Sequence, residues 1–255
     1  MRLFLTCGTA FFAGALSLVS QIIGLRVVSR ELSASEFTVA SVLVCALCGL
    51  SLGALIAGRL ADRKQLKQPS RESTSDRRPS NALAFGNILL ALASIAVLVL
   101  ALVGRDLAGG LRGFGGEPLQ VFCFLLVTVL PINLLLGGIV PVLTKAMSKT
   151  VHDVQAAFGW VYAWETFGAA VGAWGVVFVA VPTLGAIRSL SVAAVVVLGW
   201  TMVGLLLGGR QTETLAELAE VSGDDSIADA SEQTQSTAPS PVSYTHLTLP
   251  TILLV

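Results

Sequence analysis

The chain has 255 residues, of which 54% are hydrophobic and only 13% charged, about half the charged share of a soluble domain. That balance excludes an ordinary water-soluble fold, and a formal net charge of zero gives no electrostatic case for a nucleic-acid partner. The apolar residues lie in six long runs rather than in alternation, so the expected class is all-α and integral to the membrane, with six transmembrane helices.

The first span is predicted over residues 3–25. Ala10, Gly14, Ser17 and Gln21 recur every three or four residues and share one face, a small, polar face suited to packing inward. The second span covers 37–58. Gly49 and Gly53 stand four apart in it, the small-xxx-small spacing that lets membrane helices approach closely. Gly58 is expected to end this span, and Arg59, Asp62, Arg63 and Lys64 open a serine-rich basic loop through residue 80.

The third span is expected at 82–103, with Asn87 its strongly polar residue, followed by an irregular glycine-rich connection over 104–118. The fourth, 119–143, carries Pro131 and should be bent or broken there. The fifth, 159–181, begins with Trp160, Tyr162 and Trp164, holds Glu165 inside it, and should end at Pro182. A tight turn leads to the sixth span, 186–207. Beyond it, 209–241 reads as an acidic flexible linker. Residues 242–255, VSYTHLTLPTILLV, read as a non-native tail closing a truncated reading frame.

Six spans place both termini on one side. The end holding the termini carries Arg2, the seven cations of the basic loop, Lys145, Lys149 and Arg210, against Arg26, Arg30, Arg105, Arg112 and Arg188 at the other. The positive-inside rule then predicts cytoplasmic termini, with a bacterial inner membrane as the expected location.

Gly49-Leu50-Ser51-Leu52-Gly53 followed by Gly58-Arg59-Leu60-Ala61-Asp62-Arg63 resembles the loop motif of the major facilitator superfamily. In particular it is similar to the N-terminal membrane region of fused facilitator-like/spermidine synthase-like proteins. Pro131, Gly137, Pro141, Leu143 and Thr144 match that family's fourth-span pattern. Gly159, Tyr162, Ala163, Thr166, Gly168 and Ala169 match its fifth, with Glu165 in place of an Asn. The family's Glu-x-x-Trp-x-Arg signature survives only as Arg26, with Gln21 and Gly24 at the other positions. The resemblance covers about residues 3–208. It implies a facilitator-half-like bundle, two three-helix inverted repeats, and polyamine-related chemistry. The aminopropyltransferase-like catalytic domain of the full-length relatives has no counterpart in this sequence.

Glu165 is the sharpest candidate for a substrate-binding residue, since an ionisable group inside a span usually faces the bundle interior. Gly168 and Gly172 follow it on the same side. Tyr162 is a candidate cation–π partner, and Gln21 and Asn133 could line the same cavity. The plainer alternatives are an interfacial glutamate beside the tryptophans and ordinary interhelical hydrogen bonding for Gln21 and Asn133. Gly58, Asp62 and Arg63 would form a conformational loop motif rather than a ligand site. Cys7, Cys45, Cys48 and Cys123 lie in apolar runs as small hydrophobes. No catalytic set, metal site or cofactor is expected. The anticipated partners are the lipid bilayer, a cationic small molecule and a second copy forming a homodimer. Three functions are open: the membrane part of a synthase-like fusion that moves polyamine, a small transporter built as a dimer of six-span halves, and a passive anchor.

Overall fold

The computed structural model describes residues 2–32, 35–66, 77–111, 115–148 and 153–224, with side chains for 3–32, 35–60, 82–111, 115–148 and 153–207. Two units are distinguished, Met1–Thr214 and Leu215–Val255. The second begins as helix up to Asp224; its remaining residues lie outside the described range, as does the tail expected at 242–255. Everything below concerns the first.

Among the described residues every element is helical: α1 (Arg2–Glu31), α2 (Glu36–Leu66), α3 (Arg77–Leu111), α4 (Glu117–Gly137), α5 (Ile139–Met147), α6 (Val154–Gly175), a π-helical stretch (Val176–Ala180), α7 (Val181–Leu184) and α8 (Ala186–Asp224). With α4–α5 forming the fourth span and α6–α7 the fifth, six helical segments among the described residues are long and apolar enough to cross a membrane. The chain is an all-α integral membrane protein.

The helices outrun the apolar runs that predicted them. Gly58 does not end α2, which continues to Leu66 through Ala61, Arg63, Lys64 and Gln65, all good helix formers. Residues 104–111, expected as the start of an irregular loop, are helical and continue α3 to Leu111. Leu107, Ala108 and Leu111 pack against the cluster of Val28, Val121 and Phe124, and that packing overrides the weak helix propensity of Gly109 and Gly110. Likewise the segment expected as linker from 209 is helical to Asp224.

The break in the fourth span falls at Gly138, not Pro131, which sits exposed within α4. Restarting the helix at Ile139 puts Pro141 in the first turn of α5, where its missing amide leaves no hydrogen bond unmade. Pro182 does not end the fifth span. A wide π turn precedes it, and the helix ends instead at Gly185, whose φ of 80° suits glycine and strains other residues.

α1 and the fourth span are the most enclosed, with 61% and 56% of their apolar windows buried, against 11% for the fifth span. Leu16 and Ile23 of α1 meet Leu90 and Val97 of α3 and Ile132 and Leu143 of the fourth span in the main core.

Two helix pairs cross at backbone contact. A Cβ on Gly14 would collide with the carbonyl of Glu165, and one on Gly168 with the carbonyl of Phe11. The same reciprocity joins α2 to α4: a Cβ on Gly53 would strike the carbonyl of Leu134, and one on Gly137 that of Leu50. In all four helices the glycine follows the carbonyl-bearing residue by three positions. Gly49 belongs to the same seam, 2.7 Å from the Leu130 oxygen for an added Cβ. The small-xxx-small spacing in the second span thus marks a real crossing, close enough for weak Cα–H···O contacts.

Candidate functional site

The small face of α1 turns inward as its spacing predicts: Ala10, Gly14 and Ser17 are buried and Gln21 partly so. Two polar clusters form along it. In the first, Ser17 Oγ donates to Asn133 Oδ1 at 2.9 Å. Gln21 Nε2 donates to the same oxygen at 3.2 Å and to Ser17 Oγ at 3.1 Å. Asn133 is fully buried and returns its own amide hydrogen to the Val129 carbonyl at 2.9 Å. Gln21 and Asn133, expected near one another, are therefore directly bonded across α1 and α4. The arrangement is the interhelical hydrogen bonding that was the plainer alternative.

The second cluster was not foreseen as a group. Thr9 Oγ1 lies 2.8 Å from the Leu5 carbonyl and 3.0 Å from Asn87 Oδ1, its hydroxyl hydrogen shared between them. It accepts the indole N–H of Trp200 at 3.3 Å. Asn87 is fully enclosed, and its Nδ2 has no partner among the described residues. Gly204 of α8 makes room for it, since a Cβ there would stand 2.7 Å from Nδ2. The legible signal was the lone asparagine in an apolar span; Thr9 as its partner and as the acceptor for Trp200 comes from tertiary packing.

Glu165 lies elsewhere. Its carbonyl presses on Gly14, seven residues before Gln21 and so about 10 Å away along α1. Its side chain is half-buried at the flank of the α1–α6 crossing. Tyr162, three residues before it, is 56% exposed, and its ring stacks on Phe158 with centroids 5.8 Å apart. α6 buries only the stripe of Ala157, Val161 and Gly168, and Tyr162 falls outside it. Gly58 is half-buried in α2, and a Cβ there would meet nothing within 4 Å. The side chains of Asp62 and Arg63 lie outside the described residues. Cys45 is buried while Cys48 is exposed, and no group of three potential metal ligands occurs among the described residues.

A cavity of about 370 Å³ opens at the end of the bundle where α1 and α3 finish and α8 begins. Arg26, Arg30, Arg105 and Arg188 line it, with Glu31 and the turn at Leu184–Gly185. In the sequence these arginines figured in the charge balance, and Arg26 also as the surviving position of the Glu-x-x-Trp-x-Arg signature. They come from three distant segments, so no spacing could have grouped them.

Searches against family models, curated proteins and solved structures find no match to this chain.

Proposed function

We propose that the chain is a transport-type membrane domain of facilitator-half architecture, akin to the membrane region of the fused facilitator-like/spermidine synthase-like proteins that its motifs resemble. The observation that carries this reading is the matched pair of crossings. The first and fifth spans, and the fourth and second, meet through the same glycine-to-carbonyl reciprocity. Partner exchange of this kind between residues of two three-span halves is what an inverted repeat produces, and such repeats are a hallmark of secondary transporters. The motif order around Gly58-Arg59-Leu60-Ala61-Asp62-Arg63 supports the family, and the family implies polyamine or a related cation as cargo. Glu165 is the carboxylate within a span that such a cargo would use.

The exposed outer face of the fifth span favours one further reading, a pair of six-span halves joined there. Trp160, Tyr162, Phe167 and Trp174 are each more than half exposed along it. Purified full chain in sealed vesicles, supplied with labelled spermidine outside, tests the transport reading. Accumulation above empty vesicles supports it. Accumulation equal to empty vesicles leaves an anchor. Cross-linking of a Trp174→Cys variant into dimers would favour the paired halves.

A further inference from the structure

The arginine-lined cavity stands apart from the Glu165-based transport reading, although Arg26 is also the surviving position of the Glu-x-x-Trp-x-Arg signature. Arg26 and Arg30 are one helical turn apart on the last turns of α1 and so share a face. Arg105 sits near the end of α3, and Arg188 follows the Gly185 turn. Four arginines and Glu31 therefore line a single space of about 370 Å³, with Arg26 half-buried and Arg30, Arg105 and Arg188 exposed. Like charges held around one cavity repel, more strongly beside the low-dielectric bundle than in open water. A guanidinium fork matches the oxygens of phosphate or carboxylate two at a time.

The backbone adds to this field. Ser189 N–H donates to the Gly185 carbonyl at 3.1 Å as the opening bond of α8. The amides of Ala186, Ile187 and Arg188 precede that first turn, and those residues line the cavity. A long helix thus presents its positive end where the arginines gather. A separate pocket of about 20 Å³, sharing Val27, Arg105 and Ile187 with the first, lies against Ile23, Gly24, Leu100 and Phe124, room for about one water. An acyl chain or an extended polyamine cannot enter there, and a cation would be repelled at the mouth.

We propose that this cavity binds a phosphate-class anion, either free in the aqueous phase or as the headgroup of an anionic phospholipid. The two sources separate experimentally. The full chain is placed in phosphatidylcholine nanodiscs, and its thermal midpoint is followed as inorganic phosphate replaces chloride at constant ionic strength. A second arm exchanges part of the phosphatidylcholine for phosphatidylglycerol without phosphate. A saturable rise with phosphate assigns the free anion. A rise with phosphatidylglycerol alone assigns the headgroup. In either case Arg26→Gln with Arg105→Gln should shift half-saturation roughly tenfold or more, the scale of lost charge-assisted hydrogen bonds. Should that variant fail to fold, Arg26→Lys with Arg105→Lys keeps the charge, loses the fork and should still weaken binding. No rise in either arm overturns the proposal, as does an unchanged rise in the variants.

Discussion

Gly14 of α1 and Glu165 of α6 meet backbone to backbone, with the Glu165 carbonyl occupying the space where a side chain on Gly14 would stand. No rotamer change relieves such a clash, because the obstacle is main chain. Gly14→Ala is therefore expected to cost about 1–3 kcal/mol, the range for overpacking, and Gly168→Ala a similar amount. Gly58→Ala meets open space and should instead stabilise by about 0.4–1 kcal/mol. Unfolding in mixed micelles, with all three variants at matched detergent, measures the order. A Gly14→Ala variant as stable as Gly58→Ala would contradict the crossing.

The Ser17–Asn133 bond couples α1 to α4. A double-mutant cycle with Ser17→Ala and Asn133→Ala should return a coupling of about 0.6–1.7 kcal/mol, as for hydrogen bonds between membrane helices. Gln21 offers Asn133 Oδ1 a second donor, so Ser17→Ala alone should be the milder change. Strict additivity of the two substitutions would show that the pair is not bonded.

Charge asymmetry sets the expected orientation. In a background with Cys7, Cys45, Cys48 and Cys123 replaced, a cysteine at Gly110, exposed at the end of α3, should react with an impermeant maleimide added to intact cells. A reporter fused after Arg210 should be active only in the cytoplasm. Labelling of Gly110→Cys only after permeabilisation would invert the topology.

Glu165→Gln retains shape and hydrogen-bonding groups while removing charge. If Glu165 binds cargo, the variant should insert normally and lose spermidine uptake by tenfold or more, the scale of one charge-assisted contact. Equal uptake by wild type and variant at matched abundance would remove Glu165 from the site.

Fold class was legible because uninterrupted apolar runs admit few alternatives, and the inward face of α1 because Ala10, Gly14 and Ser17 are small at helical spacing. Helix ends were less legible, since hydropathy marks where lipid stops rather than where the helix does. Leu107 and Ala108 show this by packing beyond the predicted span. The exposure of Tyr162 was not legible, because α6 buries only the stripe of Ala157, Val161 and Gly168 and its hydrophobic pattern does not mark that stripe. Trp200 and Asn87 meet Thr9 through tertiary packing alone, which no local pattern encodes.

The paired crossings also constrain how this protein can move. Spans one and five are locked by main-chain contact, and so are two and four, so each pair behaves mechanically as one stave. The polar link across the seam between α1 and α4 is a few side-chain bonds around Asn133, each about 0.6 kcal/mol on average in a membrane interior. Motion should therefore be shear of stave against stave, with Gln21 exchanging partners as the seam slides while the glycine crossings stay shut.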